Sequence, residues 1–528
     1  MIMKNICVLL LFLPFFSCND WLTVESEKSV TYINYFKSEQ DLEKIMISIF
    51  GNEKKIFAPF HVNFLDISGL LCDMGGWYDG LRTLDPEEFF GGNMESWAVH
   101  YAAIYLANMM EENRFRFENI SEERADYWIA QANFAKALFY FDIIRQWGEA
   151  PLAPTTESTE AVGKSSTMTL LEEAIRCANV ALKLPPHEQL TDAYGNTVTS
   201  RQYANLGTVH TLLANIYAWM GGLYGERKYW EEAEKHASQV IDGKAGFYDL
   251  EPDILSLKNN TLGSGRKSVE TIFSIEINSR DNDRFWSAMF QNQYPGLLLL
   301  DYPYTETTPE KIESNFDKLA IFVSTVEDLY HDRGDERIKE YWYNLGEVGY
   351  WQPSDWDDEG VVIDSTWVVS DYAFLDKWNK EIRSVNPAII VEGDAPLLAM
   401  DGNRVVWRLA DLILLRAECR ARLGLGTAVN DLNRVRNRAG LPDYDGPVDP
   451  EQLREEIFHE RERELFGEGV RYYDVVRNGY FREQLSWAYA ALTDEEVKDG
   501  ALYLPVSRNA FSKNPLMKQN IYWSWRQK

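Results

Sequence analysis

The sequence predicts a mainly α protein: an array of tetratricopeptide-like helix hairpins carrying a loop-rich ligand-binding face and a few short β-hairpins. Three observations lead there. Apolar residues recur at i, i+3 and i+4 in both the first half and the last third of the chain. Small and large side chains alternate on successive helices joined by short Gly-containing turns. Between these helical regions the helical period breaks into Gly, Pro, Asp and short β-branched runs that are rich in Trp.

The helical pattern begins near Ser38, with Leu42, Ile45, Met46 and Ile49 at 3.6-residue spacing. Residues 51–92 read as irregular, punctuated by Gly69, Gly75, Gly76, Gly80, Gly91 and Gly92. Helix resumes from Ser96 to Glu112, with Trp97, Tyr101, Ile104, Tyr105 and Asn108 on or near one face. Ser121 can cap the helix from Arg124 to Trp147, and Gly148 and Pro151 stop it. A further helix covers about 167–183 and ends at Pro185-Pro186. Tyr203 to Met220 and Tyr229 to Ile241 form a hairpin turned at Gly221-Gly222, with Ala214, Ala233 and Ala237 against Tyr217 and Trp230. Such a pair cannot bury its apolar face alone, so neighbouring pairs must stack.

Val269 to Ile277 alternates as a strand, and residues 278–310 read as loops. Residues 341–378 hold Trp342, Trp351, Trp356, Trp367 and Trp378 in what reads as small hairpins and exposed loops. Helix returns over Val405 to Leu423 and Thr427 to Ala439. A last long helix is capped by Asp449, with Pro450 first and Gln452 third, and runs to Phe466.

Composition limits the function. The 528 residues are 45% apolar and 26% charged, which is globular usage and excludes disorder. A net charge of −29 repels a phosphate backbone, so no nucleic-acid partner is expected. Lys4, the apolar run Ile6 to Phe16, Ser17 and Cys18 read as an export signal whose Cys is the lipidation site of a bacterial lipoprotein. No later segment has 18 uninterrupted apolar residues, so attachment to a membrane is expected through lipid only. Cys72, Cys177 and Cys419 have no disulfide or zinc spacing and read as small buried hydrophobes.

Several blocks, in order, carry a family resemblance. They are Cys18-Asn19-Asp20-Trp21-Leu22; Trp97 with Tyr101, Ile104 and Asn108; and Ala132 to Phe141, running on to Gly148 and Pro151. Next come Arg408-Leu409-Ala410-Asp411-Leu412, Arg416-Ala417-Glu418 and Asn433 to Pro442. Glu460 to Leu465, Glu468 to Arg477, Leu504-Pro505-Val506 and Asn514-Pro515 complete the set. The chain resembles the SusD/RagB outer-membrane lipoproteins of Bacteroidetes-type bacteria over nearly all its mature length. It departs at the end, where Ile521-Tyr522-Trp523 follows Asn520 instead of a closing Pro-Gly-Tyr. The resemblance implies four tetratricopeptide-like helix pairs and a looped binding face. It implies a surface-exposed, lipid-anchored protein that captures oligosaccharides or polysaccharides without cleaving them, as the lid of a SusC-like TonB-dependent transporter. The matching division is 1–17 signal peptide, 18–30 lipidated tether, 31–250 N-terminal helical region, 251–400 loop- and hairpin-rich insertion, and 401–528 C-terminal helical region.

A glycan needs flat aromatic faces for its apolar C–H surfaces and polar groups for its hydroxyls. The Gly-rich segment 72–82 offers Trp77 and Tyr78 for stacking, with Asp79 and Arg82 for hydroxyls. A second set is Trp286, Asn292 and Tyr294, with Tyr302 and Tyr304 beyond them; a third is Trp351 and Trp356, with Trp342 as a further candidate. Trp97, Trp128, Trp147, Trp219, Trp230 and Trp407 sit in strong helical patterns and are expected in the core.

No cofactor is expected. Asp355, Asp357, Glu359 and Gly360 resemble the start of a calcium loop, but Thr366 stands where the bidentate Glu belongs, so the spacing does not support a calcium ion and the loop reads as solvated. Glu460, Glu464 and Glu468 lie four apart and read as an ion-pair network neutralised by Arg461, Arg463, Arg471 and Arg477 rather than as catalytic acids. The seven histidines are scattered, and neither a zinc-protease motif, a nucleophile elbow nor a phosphate loop occurs. The chain therefore reads as a non-enzyme. A glycoside hydrolase stays as an alternative because its two carboxylates need only be spatial neighbours, and so does a peptide-capturing RagB-like relative.

Overall fold

A computed structural model of the chain describes residues 35–57, 64–91, 95–277, 319–383, 397–512 and 514–526. The side chains of Trp77 and of residues 381–383 and 397–400 lie outside that description. So do the expectations for the first 34 residues, Cys18 among them, and for Trp286, Asn292, Tyr294, Tyr302 and Tyr304.

The helical periodicity becomes a stacked array. The first helices are α1 (Glu39–Phe57), α2 (Phe64–Gly69), α3 (Asp79–Arg82), α4 (Pro86–Phe89) and α5 (Ala98–Glu112). They are followed by α6 (Glu122–Trp147), α7 (Thr167–Ala181), α8 (Leu206–Tyr224) and α9 (Arg227–Ile241). From α5 to α9 each helix packs on its sequence neighbour, and α9 then meets the C-terminal helix Leu409–Leu423, which packs on Ala428–Arg438 and Pro450–Glu464. α6 is buried along almost its whole length, its polar residues Gln131, Asn133, Lys136, Asp142 and Gln146 included, so it forms the axis of the core. The six tryptophans expected inside are buried, and so are Trp342 and Trp378. Cys72, Cys177 and Cys419 are buried and free. Among the described residues no helix is long and apolar enough to cross a membrane.

Three boundaries differ from the sequence reading. The stretch 51–92 is not uniformly irregular: α1 continues to Phe57, and α2, α3 and α4 follow as short turns of helix. The turn expected at Gly221-Gly222 lies further on. α8 starts at the capping box of Asn205 and Thr208, runs through both glycines and ends at the left-handed Gly225. Gly221 is there for close approach, since a Cβ on it would lie 2.4 Å from Cε2 of the Trp230 indole. Third, Arg404–Arg408 is a strand, and helix begins only at Leu409. Arg404, Val405, Trp407 and Arg408 pair antiparallel with Thr271–Ile275, which is buried throughout and needs a partner for its backbone groups.

Among the described residues there are four sheets, each two-stranded and antiparallel. They comprise β1 (Thr271–Ile275) with β8 (Arg404–Arg408), β2 (Ile321–Phe322) with β5 (Tyr372–Ala373), β3 (Gly349–Trp356) with β4 (Val362–Val369), and β6 (Glu381–Arg383) with β7 (Leu397–Met400).

The acidic run on helix Pro450–Glu464 and just beyond it is an internal ion-pair network, but with other partners than its neighbours in sequence. Glu464 accepts from Arg408 Nη1 (2.5 Å), Arg337 Nη1 (3.2 Å) and Arg438 Nη2. Glu468 accepts from Arg408 Nη2 (2.7 Å) and Lys377 Nζ (2.6 Å), and Glu460 from Arg337 Nη1 (2.8 Å) and Arg463 Nη2 (2.8 Å). Of the four expected neutralisers only Arg463 serves this row. Arg461 pairs with Asp411 and Asp474, Arg471 with Glu462, and Arg477 with Glu418 and Asp474. Burial would push these carboxyls up, but the guanidiniums more than offset it and hold Glu468 down to about 2. Every carboxylate of the row is committed to structure.

Candidate functional site

Two of the three candidate segments meet at one support. Asp73 and Met74 bridge to Ala320, with Met74 N donating to Ala320 O (3.0 Å) and Ala320 N to Met74 O (3.1 Å). Asp73 carries the adjoining strand: its carboxylate accepts from Phe322 N (2.6 Å) and Thr325 Oγ1 (2.8 Å). β2 pairs in turn with β5, and Tyr372 Oη reaches Met74 Sδ (3.7 Å). Ala320, Val348 and Phe374 form a small apolar cluster with Met74, Tyr343 and Tyr372 packed around it. The segment 72–82 and the base of the β3–β4 hairpin therefore rise from the same platform.

On 72–82 the predicted residues divide. Tyr78 is half-buried against the main core, and burial raises its phenol pKa. Asp79 is exposed. Arg82 is largely used in holding the loop: Nη2 donates to Cys72 O (2.9 Å) and Nη1 lies 3.7 Å from Asp79, while its own carbonyl accepts from Ser486 Oγ. Asp79 and Tyr78 are thus the polar and aromatic groups left at this surface.

The hairpin carries the exposed rings. Trp351 is 61% exposed and Trp356 53%. Trp342, the further candidate, is 1% exposed and packs edge-on to Phe466, so it belongs to the core. The residue that sequence reasoning left out of the candidate set is Trp367, 41% exposed and directly opposite Trp351 in the register. Cross-strand neighbours on one face interact, and these two indoles do so with centroids 5.4 Å apart and planes at 69°. A signal existed: counted outward from Glu359, at the centre of the acidic turn, Trp351 and Trp367 are equidistant. Gly349 makes room for the pair, because a Cβ there would lie 2.7 Å from Trp367 Cε2.

The hairpin's turn replaces the calcium-like loop. Asp357 Oδ1 accepts from Glu359 N (3.0 Å) and Val361 N (2.8 Å), and Gly360 takes φ 79° to close it. Asp355, Asp357, Asp358, Glu359 and Asp364 make the tip strongly negative. Val361, Val362, Ile363 and Val369 are exposed as well, so the hairpin is a projecting, amphipathic blade of aromatic faces and acids. Aromatic faces of this kind are suited to the C–H faces of a neutral sugar and acids to its hydroxyls, while the negative charge disfavours an anion.

Comparison with known proteins follows the same outline. The SusD family model matches residues 399–523, and a model described as starch-binding associating with outer membrane matches residues 20–199. The SusD-like protein P25 of Formosa agariphila is 21% identical, over 96% of this chain and 95% of that protein. Among solved structures, a SusD homolog from Bacteroides thetaiotaomicron superposes with TM-score 0.71 at 22% identity, over 93% of this chain and 99% of that one. A laminarin binding SusD-like protein superposes with TM-score 0.66 at 21% identity, over 92% and 99%.

Proposed function

Since the chain belongs to the SusD/RagB family, we propose that it is a non-catalytic, lipid-anchored glycan-binding protein of the outer-membrane surface. It captures a neutral oligosaccharide and passes it to a SusC-like TonB-dependent transporter, over which it acts as a lid. The observation that carries this reading is the solvent-exposed pair Trp351–Trp367 on a blade that shares its platform with the 72–82 loop. Trp351, Trp356 and Trp367 would stack on the sugar, with Trp77, Tyr78 and Asp79 on the facing loop and Arg82 bracing it. Trp286, Asn292 and Tyr294, which lie outside the described residues, stay candidate contacts on their sequence alone. The acidic tip favours an uncharged glycan, and one structural relative is a laminarin-binding protein, so neutral glucans come first in a panel.

The role as a binder rather than a hydrolase is supported by the fate of the most suggestive carboxylates, which are locked to Arg and Lys. Affinity electrophoresis and calorimetry against neutral glucans test the binding, and an assay for new reducing ends tests the absence of cleavage. Retarded migration without new ends is the expected result, and turnover of any glycan refutes it. Cys18→Ala is expected to release the protein from the membrane fraction, and the mature protein is expected to co-purify with a large β-barrel.

A further inference from the structure

A second cleft, of about 680 Å³, lies between the connector that precedes α8 and the β1 region. One wall is the 187–201 segment, which is tied to β1 where Ser274 N donates to Arg201 O (3.3 Å). The other is the loop 260–269. It is pinned by Arg266, which adopts φ 49° and donates to Ile277 O (3.0 Å), Asn403 Oδ1 (3.2 Å) and Asp401 Oδ1 (2.5 Å). The lining contains no Trp, Phe or Tyr, so this cleft does not grip by stacking. Its lining mixes apolar surface from Val198, Val269 and Ile277 with polar groups, among them the Thr197 and Thr199 hydroxyls at its edge.

Some of its charges are not ion-paired: half-buried Arg201 and exposed Lys267 among the bases. Arg266 is neutralised by Asp401, and Glu188 Oε1 accepts from Phe247 N (3.2 Å). Among the described residues, Arg201 and Lys267 form no ion pair and Glu276 pairs with no base. Arg201 lies against the Tyr248 ring with its Nη1 lacking any hydrogen-bond partner. His187, 8% exposed, borders the same cleft, and its Nδ1 is likewise unpartnered. A buried donor left without an acceptor is destabilising, and more so when it is charged. The unpaired charges are two cations, Arg201 and Lys267, and two carboxylates, Glu188 and Glu276, so the cleft is locally balanced in a chain that is strongly acidic as a whole.

We propose that this cleft is a second binding site, distinct from the tryptophan hairpin, for a short carboxylate-bearing saccharide of the uronic-acid type. Arg201 and Lys267 take the carboxylate, and Thr197, Thr199 and Glu276 take hydroxyls. The volume fits one or two sugar rings. A planar carboxylate matches the guanidinium fork, which a neutral sugar cannot exploit to the same degree.

The test is calorimetric titration of the full chain with digalacturonate, and with a neutral disaccharide such as maltose as control. Digalacturonate is expected to bind at least tenfold more tightly than maltose at this site, and more weakly as salt rises. Arg201→Gln and Lys267→Gln are each expected to weaken it at least fivefold, while Trp351→Ala/Trp367→Ala leaves it unchanged. If R201Q fails to fold, K267Q, altered at an exposed side chain, carries the test. Absence of digalacturonate binding, equal binding of the neutral sugar, or unchanged binding in K267Q overturns the proposal. Loss of digalacturonate binding in the tryptophan double variant overturns it too, by moving the site to the hairpin. Failure of neutral glucans to bind, in contrast, bears only on the hairpin.

Discussion

Trp351 and Trp367 face each other across an exposed hairpin with centroids 5.4 Å apart and planes at 69°, so each fixes the other's orientation while both keep surface open to solvent. Side chains this large are normally buried. Here they stand on a two-stranded blade joined to the body at its base, an arrangement that favours contact with something outside the molecule over stability.

Replacing the pair should therefore affect binding and not folding. Trp351→Ala/Trp367→Ala is expected to weaken neutral-glucan affinity by about 10- to 100-fold, the equivalent of about 1.5–3 kcal/mol for one aromatic side chain left without its contact. The melting temperature should stay within a degree or two. Calorimetry paired with thermal denaturation checks both, and a large drop in melting temperature with intact binding would assign the rings to structure.

The Arg408–Glu464 pair should behave in the opposite way. Both side chains are almost wholly buried, and Glu464 is shared with Arg337 and Arg438. Glu464→Gln leaves three guanidiniums short of a counter-charge and is expected to cost about 3–5 kcal/mol. Urea denaturation measures it, and a loss below about 1 kcal/mol would show that the network is not a unit.

The same network sets an acid limit. Glu468 and Glu418 are held at about 2 by Arg408 with Lys377 and by Arg477 with Arg422, whereas their carboxyls in an unfolded chain titrate near 4.5. A depressed pKa contributes stability that is fully present above 4.5 and is lost as pH falls towards 2. Unfolding free energy should fall steeply across that window, and Glu468→Gln should flatten the slope.

Glu53 works the other way. It is 1% exposed, its side chain accepts from Gln202 Nε2 (2.9 Å), and burial pushes its pKa up to about 8. A raised pKa favours the protonated form, so its contribution is full below 4.5 and is lost as pH rises towards 8. Glu53→Gln, which keeps the shape without the titration, is expected to raise the melting temperature at pH 8 more than at pH 5.

Gly221→Ala tests the extended end of α8. The new methyl would press on the Trp230 indole at 2.4 Å and is expected to cost about 1–3 kcal/mol, despite the better helix propensity of Ala. Unchanged stability would mean that α9 is free to shift.

How much was legible follows from the range of each interaction. Helix periods and caps are local, so α5, α6, α7 and α9 could be read from spacing and from residues such as Ser121. Glycine meaning is not local: Gly221 looked like a turn because Trp230, the ring that requires it, is placed only when α9 folds back. Arg404–Arg408 looked helical because its strand partner lies more than a hundred residues earlier.

The sequence by itself determined the helical array, the family, the hairpin-and-loop character of the segment that carries Trp351 and Trp356 and the commitment of Glu460, Glu464 and Glu468 to ion pairs, since these depend on composition and short-range pattern. Only the tertiary structure decided that Trp367 completes the ring pair, that Trp342 is interior and that Arg337, Arg408, Arg438 and Lys377 neutralise the acids. It alone decided that Met74 and Val348 share one support, and that Arg201 and Lys267 border a common cleft. Side chains far apart in the chain become neighbours only through packing, and spacing along a sequence carries no record of which distant segment will lie alongside.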